Sequence, residues 1–509
     1  STRGPTAIRV RLLRDAKQEP IDTPMVAPDH ADAPFERTHS SGWIGIKTKV
    51  GSATVSRAGL LQLRDSEGAV LTESEPLAGS GSVFALSSSV GRVYGRGASP
   101  EDARELTSNR SRPVVCNRGT NVPYYYSSDG YAALGVVSRT KNFGHFPASY
   151  DVSSDEKRLW WSFEGPFELY LMPAETLRES TVAYFGLVGR PRVPPRYAFG
   201  FMASRWGWES KAYIEDTISK FRRGKYPVDA VIMDFEWFVN ETDYPYDAKG
   251  KPYYQDFGFN PALWPSPREQ LSRYRKDFNI RVGLLRKPRI GNSKLLDLAR
   301  SKGYLLERNF EPGGTWPQNV SQGYAQNRCI DFSKADARQW YAEMMSHYID
   351  DGVEFWWNDE GEMDFYTFHW WCVAEAKLLH AKHAAKRFFS LNRAFSPGMS
   401  RLGGAAWTGD ITPTWKDMSQ QPGMILNWGI SGAPFTGCDI GGFTGNSTPA
   451  LLARWMQLGA FLPLMRTHST CSPWATPHWP WLWGDRASGA IRQALELRYR
   501  LVPYHYSLA

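Results

Sequence analysis

The chain has 509 residues, 42% of them hydrophobic and 22% charged, so it is long enough for two or more domains and too apolar to be globally disordered. Its net charge of +8 is spread along the chain without the basic run that marks a nucleic-acid-binding protein. It contains no apolar stretch of about 18 residues, so no membrane span is expected, and its five cysteines lack metal-binding spacing.

Two sequence features, the N-terminus and the glycosylation sequons, bear on the cellular compartment. The chain begins at Ser1 without an initiator Met or a signal-peptide pattern, which predicts a processed or trimmed form. Asn-x-Ser/Thr sequons favour a glycoprotein of the secretory pathway, or a secreted one, over a cytoplasmic protein. They lie at Asn109, Asn240, Asn319 and Asn446.

Residues 1–187 carry short runs of alternating apolar and polar residues, separated by Gly, Ser and Asp turns. This pattern predicts an all-β N-terminal domain, a β-sandwich. Three prolines in the segment 188–196 exclude a helix or a central strand there, so the segment is a predicted linker. The candidate strands are Ser41–Val50, Ser82–Leu86, Tyr131–Val137 and Leu159–Phe163.

Residues 197–509 alternate predicted strands with helices. One helix is expected from Ser210 to near Gly224, and another is expected to begin at Ser333, with Asp336 completing a capping box. Eight strand–helix units within about 310 residues predict a (β/α)8 TIM barrel. The eight strands are expected at Ala198–Ala203, Ala230–Phe238, Arg281–Leu285, Glu354–Trp357, Arg387–Leu391, Ala405–Trp407, Ala433–Gly437 and Phe461–Met465.

Six of these strands end in, or are followed by, a polar residue. The C-terminal ends of barrel strands converge on one face, so these side chains are expected to line one pocket. Two of the acids, Asp359 and Asp410, stand beside tryptophans and glycines, as a pair of sugar-cleaving carboxylates would. Either aspartate alone could equally be a helix cap or a loop residue. The six residues are Asp234, Asp359, Arg393, Asp410, Asp439 and His468.

Residues 185–509 resemble glycoside hydrolase family 31, the α-glucosidase and α-xylosidase family, and the β-domain resembles it more faintly. The segment Trp357-Asn-Asp359 is similar to the family's nucleophile motif, and Trp407-Thr-Gly-Asp410 is similar to its acid/base motif. Four further segments match in the family's order. They contain Asp234, Arg393, Asp439 with Phe443, and His468.

The resemblance implies a retaining α-glycoside hydrolase that works by double displacement, with Asp359 as nucleophile and Asp410 as acid/base. It implies that Arg393 keeps Asp359 ionised and that Trp407 and Trp415 desolvate Asp410 and raise its pKa. The expected partner is an oligosaccharide or glycoside, and no metal or organic cofactor is expected. The implied substrate-binding residues are Asp234, Trp357, Arg393, Trp407, Asp439, Phe443 and His468.

Departures from the family pattern leave the sugar and the linkage open. Glu360 stands where α-glucosidases usually carry Met, Lys287 where Asp or Asn is common, and Ile411 where Asn is usual. Lys287 and Arg289 raise the possibility of an axial hydroxyl, an acetamido group or an anionic substituent on the sugar, although a solvated basic loop explains them as well. The family's C-terminal β-domains are not found before Ala509, which leaves a longer polypeptide or a compact variant open.

Two alternatives keep the fold and change the activity. One is a catalytically silent subunit that binds carbohydrate or serves a structural role. The other is a transglycosylase or lyase, in which the glycosyl-enzyme has a different fate. The sequence does not give the oligomeric state.

Overall fold

The structure of the protein is a computed structural model. It describes residues 1–3, 6–12, 21, 23–28, 33–76, 83–87, 92–100, 114–136, 149–153, 158–162, 167–238, 257–291, 294–306, 328–363 and 365–509. The predicted sequons at Asn109, Asn240 and Asn319 lie outside these residues. Asn446 is exposed, and its side-chain oxygen accepts a hydrogen bond from the Thr476 backbone N–H at 2.8 Å.

The N-terminal part consists of antiparallel strands, as its alternating pattern predicts. The predicted strand Ser41–Val50 is shorter in the structure, where β4 runs from Trp43 to Lys47, because the chain turns at Gly42, which has a φ of 82°. The strands in the described residues are β1 (Thr2–Arg3), β2 (Ala7–Leu12), β3 (Glu36–Ser40), β4 (Trp43–Lys47), β5 (Gly51–Ser56), β6 (Leu61–Asp65), β7 (Val70–Glu73), β8 (Val83–Ser87), β9 (Val93–Ala98), β10 (Val114–Cys116), β11 (Gly119–Ser127), β12 (Tyr131–Val136), β13 (Ser149–Ser153), β14 (Arg158–Ser162) and β15 (Phe167–Pro173).

These strands form the two layers of a sandwich. One layer is a seven-stranded sheet in the order β1-β2-β15-β12-β11-β10, with β9 also paired to β11. The other layer contains a five-stranded sheet, β3 to β7 in order, and a three-stranded sheet, β13-β14-β8. A bridge between Ser74 and Leu86 joins these two sheets. Side chains such as Leu63, Trp161 and Leu171 meet between the layers and are fully buried, so the predicted β-sandwich is confirmed.

One part of the all-β prediction is wrong, because α1 (Leu177–Val188) is a helix. Thr176 and Glu179 form a capping box at its start, a signal that the sequence contains. Tyr184 of this helix stacks on Tyr124 of β11 with ring centroids 3.8 Å apart. The exact boundaries of the domains and linker remain predictions.

The C-terminal part alternates short parallel strands with helices. Its strands are β16 (Phe201–Arg205), β17 (Ala230–Met233), β18 (Arg281–Arg286), β19 (Phe355–Asn358), β20 (Ser390–Asn392), β21 (Gly404–Trp407), β22 (Thr436–Gly437), β23 (Asp439–Ile440) and β24 (Met465–Thr467). Its helices are α2 (Lys211–Arg223), α3 (Pro267–Phe278), α4 (Lys294–Ser301), α5 (Ala335–Asp351), α6 (Thr367–Lys382), α7 (Trp415–Ile430), α8 (Pro449–Gly459) and α9 (Gly484–Leu508).

The parallel strands form the predicted barrel. Their order is β22-β21-β20-β19-β18-β17-β16-β24-β23, and only Cys438 separates β22 from β23 in the chain. One segment therefore pairs with β21 through its first half and with β24 through its second half, which closes an eight-stranded barrel. At least nine tryptophans of the described residues are fully buried, so much of the tryptophan content belongs to the core.

Several strands lie closer to the C-terminus than predicted. The first barrel strand was expected at Ala198–Ala203, but a 3-10 helix occupies Arg196–Phe199 and the strand runs to Arg205. The strand expected at Ala230–Phe238 is instead shorter than predicted and ends at Met233, because a 3-10 helix occupies Phe235–Trp237. Two barrel strands end in a buried polar residue, Arg286 of β18 and Asn358 of β19, so an apolar run stops one residue short of their ends.

The helix predictions are partly right. Ser210 caps α2 by accepting from the Tyr213 N–H, and α2 stops before Gly224 as predicted. The predicted start at Ser333 is wrong, because α5 begins at Ala335 with Lys334 as its N-cap residue. The Ser333 hydroxyl instead donates to Asp331 at 2.6 Å. No helix in the described residues has the length and hydropathy of a membrane span.

Candidate active site

The nine predicted site residues lie at the C-terminal ends of the barrel strands or in the loops that follow. Asp359 follows β19 directly, Arg393 follows β20, and Asp410 stands three residues after β21. Asp234 follows β17, and its side chain accepts a hydrogen bond from the Phe235 N–H at 2.8 Å. The structure brings the nine side chains to one end of the barrel, while their individual roles remain predictions.

Asp359 is buried, and both of its carboxylate oxygens have cationic partners. Arg393 Nη1 is 3.0 Å from Oδ1, which also accepts from the Glu360 N–H at 2.9 Å. Lys287 Nζ pairs with Oδ2. The Asp359 N–H donates to the Arg286 carbonyl at 3.0 Å. These contacts fix the orientation of the carboxylate at the strand end.

Asp410 lies nearer the opening of the site, with 32% of its side-chain surface exposed. Burial raises the pKa of Asp410, Arg393 opposes that rise, and the Asp359 carboxylate adds to it. The direction matches the sequence-based expectation. Trp407 is buried, whereas Trp415 is 53% exposed at the first turn of α7, and its expected shielding of Asp410 remains a prediction.

Arg393 connects the two predicted catalytic carboxylates. Its Nη1 is 3.0 Å from Asp359 Oδ1 and 3.4 Å from Asp410 Oδ2, so these oxygens are separated by at most the sum of the two distances, 6.4 Å. Glu362 holds the same guanidinium through Nε at 2.5 Å and Nη2 at 3.3 Å. Burial lowers the pKa of Arg393, but Asp359 and Glu362 outweigh it and hold the pKa well above its usual range.

A second group of buried polar residues lies across β23, β24 and β16. Arg466 Nη1 is 2.6 Å from Asp439 Oδ1. Burial raises the pKa of Asp439 to about 7, against the opposing effect of Arg466. His468 Nε2 is 3.5 Å from Asp234 Oδ2, and its Nδ1 is 2.8 Å from the Ser204 hydroxyl. Burial lowers the pKa of His468 well below its usual range, so its imidazole is neutral near pH 7.

Aromatic rings form an apolar wall beside these polar groups. The ring of Trp357 is 5.5 Å from that of Trp407 and 4.8 Å from that of His468. Phe443 stacks on His468 with ring centroids 5.0 Å apart and an angle of 6° between the planes. The Arg466 guanidinium carbon lies 4.3 Å from the Trp357 ring centroid. Such flat apolar surface can pack against the C–H face of a sugar ring.

Lys287 and Arg289 belong to a charge cluster centred on Glu360. Lys287 Nζ is 3.0 Å from Glu360 Oε1, and Arg289 pairs with Oε2. Glu360 has a φ of 55°, a left-handed conformation that non-glycine residues seldom adopt. The two cations are thus neutralised by Glu360 and Asp359. The interpretation of Lys287 and Arg289 as a solvated basic loop is wrong, because both side chains are buried.

A hydrogen-bonded layer supports the strand end beneath Asp359. The Asn358 side chain donates to Glu375 Oε2 at 2.9 Å and to Asn392 Oδ1 at 3.1 Å. The Tyr341 hydroxyl donates to Glu375 Oε1 at 3.1 Å. Burial raises the pKa of Glu375 to about 8, against the opposing effects of Asn358 and Tyr341. Glu375 is therefore mostly protonated near pH 7.

Sequence reasoning missed three contributors to the site. Glu375 lies within α6, a helix whose residues are mostly buried, so no periodic pattern singles it out. Asn117 lies in the N-terminal sandwich, 293 residues before Asp410, yet its side chain bonds to that carboxylate at 2.8 Å. Arg466 was part of a recognised segment but was not assigned to the site. Among the described residues, no three His, Cys, Asp or Glu side chains are grouped as a metal site would require.

Comparison with known proteins identifies the barrel. The family model for the glycosyl hydrolases family 31 TIM-barrel domain matches residues 191–508. Human neutral alpha-glucosidase C is 28% identical over 404 residues, or 72% of this chain and 41% of that protein. Alpha-glucosidase 2 of Bacillus thermoamyloliquefaciens is 27% identical over 420 residues, or 76% of this chain and 50% of that protein. The chain thus spans half or less of the length of these relatives.

Solved structures share the fold over most of this chain. A GH31 alpha-xylosidase from a soil metagenome, complexed with xylose, superposes with a TM-score of 0.84 at 21% identity, covering 99% of this chain and 82% of that one. The GH31 dextranase of Flavobacterium johnsoniae, complexed with glucose, has a TM-score of 0.78 at 20% identity, covering 93% and 62%. Because the family model spans more than half of the sequence, the chain belongs to glycoside hydrolase family 31.

Proposed function

We propose that this chain hydrolyses α-glycosides with retention of configuration, using Asp359 as the nucleophile and Asp410 as the acid/base. The observation that carries the proposal is the Arg393 bridge, which limits the separation of Asp359 Oδ1 and Asp410 Oδ2 to 6.4 Å. Retaining enzymes hold their two carboxyl groups about 5–5.5 Å apart, whereas inverting enzymes need about 6.5–9.5 Å to admit a water.

The first step is attack on the anomeric carbon by the Asp359 carboxylate. Arg393 and Lys287 stabilise its negative charge, and the Glu360 N–H fixes its rotation. As the bond to the leaving oxygen breaks, the carboxylate also stabilises the positive charge that develops on the sugar ring. The product of this step is a covalent glycosyl-enzyme.

The second carboxyl group supplies and then removes a proton. The raised pKa of Asp410 increases the fraction that carries a proton before bond cleavage. After that proton has passed to the leaving oxygen, the Asp410 carboxylate accepts a proton from the water that attacks the glycosyl-enzyme. Partial exposure of its side chain is consistent with access for both the leaving group and the water.

The remaining polar groups would orient the sugar through its hydroxyls. Asp234, Asp439 and the neutral His468 offer acceptors and donors. Trp357 and Phe443 offer apolar ring surface. Because Lys287 and Arg289 are paired with Asp359 and Glu360, we favour a neutral sugar over an anionic one. The relatives named as alpha-glucosidases support a glucose-like sugar without fixing it.

The test is a panel of aryl α-glycosides that includes gluco, xylo, galacto, N-acetylgalactosamino and sulfoquinovo sugars. The anomer released first is followed by NMR, and retention is expected. Asp359→Asn should reduce kcat by at least 10³-fold, an order-of-magnitude expectation for loss of the nucleophile. The matched control is Asp485→Asn, which changes an exposed aspartate in the first turn of α9.

The outcomes separate the alternatives. Inverted product, or Asp359→Asn activity close to that of the wild type, contradicts the proposed mechanism. Binding of glycosides without hydrolysis by the wild type indicates a silent carbohydrate-binding subunit. Products longer than the substrate indicate transglycosylation, and an unsaturated or anhydro sugar indicates a lyase.

A further inference from the structure

The acid/base carboxylate is held by the N-terminal sandwich as well as by the barrel. Residues Asn117 and Arg118 form the turn between β10 and β11. The Asn117 Nδ2 donates to Asp410 Oδ2 at 2.8 Å, and its Oδ1 accepts from the Asp410 backbone N–H at 2.8 Å. One amide group thus contacts both the backbone and the side chain of the same residue.

This double contact fixes which way the amide faces. A backbone N–H can only donate, so the amide oxygen of Asn117 must face the Asp410 backbone. The amide nitrogen must then face the carboxyl group, where it can only donate. Exchanging the two atoms would place a donor against a donor. The side chain therefore presents an N–H to Asp410 in every protonation state of the carboxyl group.

The two carboxyl oxygens of Asp410 consequently differ. Oδ2 lies within reach of two donors, Asn117 Nδ2 at 2.8 Å and Arg393 Nη1 at 3.4 Å. Neither donor can accept a hydrogen bond from a proton on Oδ2, because an amide NH2 group and a guanidinium only donate. In the protonated carboxyl group, Oδ2 is thus favoured as the carbonyl oxygen and Oδ1 as the hydroxyl oxygen.

We propose that Asn117 is a positioning residue for the general acid, holding Oδ2 as an acceptor so that Oδ1 carries the proton delivered to the glycosidic oxygen. The inference rests on the proposed function.

When the glycosidic bond is cleaved, the Oδ1–H bond of Asp410 breaks and the proton bonds to the glycosidic oxygen. The bond from that oxygen to the anomeric carbon breaks, its electron pair stays on the oxygen, and Asp359 forms the new bond to carbon. The two donors on Oδ2 then stabilise the carboxylate that remains.

The turn is anchored for this contact. Arg118 has a φ of 68°, which costs free energy in a residue with a side chain. Its guanidinium pairs with Asp417 at 2.8 Å, and Asp417 also accepts from the Thr412 N–H at 2.7 Å. Gly409 has a φ of 84°. A Cβ at this position would lie 2.4 Å from the backbone nitrogen of Arg118 and 2.4 Å from Asn117 Oδ1. The barrel loop therefore accommodates the sandwich turn only with glycine at position 409.

A merely structural role would also explain hydrogen bonds between two domains, so the test must distinguish the two roles. Asn117→Asp is the informative variant, because a carboxylate oxygen can still accept from the Asp410 N–H while no N–H faces Oδ2. Asn117→Ala removes both contacts. Each variant is assayed on aryl glycosides with an activated dinitrophenyl leaving group and with a poor methoxyphenyl one. Thermal melting confirms that each variant is folded.

For the poor leaving group we expect kcat/KM to fall roughly tenfold to a hundredfold in both variants, a part of the 10²–10⁴-fold that general acid catalysis supplies. For the activated group we expect less than about a threefold change, since it departs without a proton. In an Asp410→Ala background, Asn117→Ala should change either rate by less than about twofold, because the group it positions is gone. Equal losses on both leaving groups, or losses that persist without Asp410, overturn the proposal.

A titration that needs no turnover separates this inference from the proposed function. The Asp410 carboxyl carbon is followed by NMR in protein labelled with 13C-aspartate and assigned with Asp410→Asn. The titratable and charged groups that interact with Asp410 are Arg393, Asp359, Lys287, Asp439 and Arg466, and all five remain in the variants. Loss of a donor to the carboxylate should raise the pKa of Asp410 in Asn117→Ala. An unchanged pKa overturns the inference even if the enzyme is active, and a raised pKa supports it even if no tested glycoside is cleaved.

Discussion

Glu375 gives the most direct test of the charge assignments beneath the site. Glu375 is buried, with 1% of its surface exposed, and its two oxygens face Asn358 and Tyr341. Substitution by Gln preserves the shape and removes the ionisable group. A glutamine oxygen can accept from Asn358, and its NH2 group can donate to the Tyr341 hydroxyl, which already accepts from Trp371 at 2.8 Å. We therefore expect Glu375→Gln to fold and to remain active.

The expected change in the free energy of unfolding follows from the pKa of Glu375, which burial raises from an ordinary 4.5 to about 8. The folded state therefore binds a proton that the unfolded chain releases between these pH values. The stability that the protonated group contributes is complete below pH 4.5 and is lost as the pH rises to about 8. At about 1.4 kcal/mol per pH unit, the loss reaches about 3 kcal/mol at pH 7 and about 5 kcal/mol above pH 8.

The assay compares urea unfolding of the wild type and Glu375→Gln by tryptophan fluorescence from pH 4.5 to 8.5. The variant should gain stability relative to the wild type by about 3 kcal/mol between pH 4.5 and 7. Any constant effect of the substitution cancels in this comparison. The matched control, Glu343→Gln, changes an exposed glutamate on α5 and should show no such trend. If the difference for Glu375→Gln were the same at every pH, the assignment of a buried, protonated carboxyl group would be refuted.

Three further predictions test other parts of the site and core. Lys287→Met should lower kcat/KM by roughly tenfold or more, because Asp359 and Glu360 lose a cation; equal rates in the two proteins would contradict a role in the site. The same variant should keep the wild-type preference between neutral and acidic sugars, because Lys287 is paired with Asp359 and Glu360; loss of a preference for acidic sugars would show that Lys287 selects an anionic group. Arg498→Met should destabilise the protein by about 3 kcal/mol or more in urea unfolding, because the carbonyls of Phe199 and Pro463, each 2.8 Å from the guanidinium, lose a charged donor.

The sequence allowed the barrel to be predicted because its strands are short apolar runs separated by amphipathic helices. Asp359 and Asp410 became candidates because each follows such a run and stands beside tryptophan, and the resemblance to family 31 supplied their predicted roles. The strand ends were harder to place. Arg286 and Asn358 are polar, yet they are the last residues of β18 and β19. These polar strand ends have partners that are distant in sequence, since Asn358 donates to Glu375 and Asn392 and the Arg286 guanidinium lies over the Phe257 ring. A window of hydrophobicity does not include those partners.

A second kind of error concerned local signals. The capping box of Thr176 and Glu179 is visible in the sequence, but a prediction of a wholly β domain left no place for α1. Ser333 and Asp336 have capping-box spacing and do not form one, because the Ser333 hydroxyl bonds to Asp331 before the helix starts. The same motif is thus decisive at one position and misleading at another. The difference lies in the role of the hydroxyl, because Thr176 accepts from the Glu179 N–H whereas Ser333 donates to Asp331.

The contribution of Asn117 could not be predicted for a more general reason, since it depends on how the sandwich packs on the barrel. Helix α7, which follows the Asp410 loop, is held by β9: Trp428 donates to the Ala98 carbonyl at 3.1 Å, and the Gly97 N–H donates to the Ser431 hydroxyl at 2.6 Å. These contacts hold β9 of the sandwich against α7 of the barrel, near the Asn117 turn and the Asp410 loop. A barrel without the sandwich would keep Asp359 and Arg393 at the ends of their own strands but would lose the Asn117 N–H that donates to Asp410, the proposed acid. The site is therefore a property of the interface between the two parts of the chain.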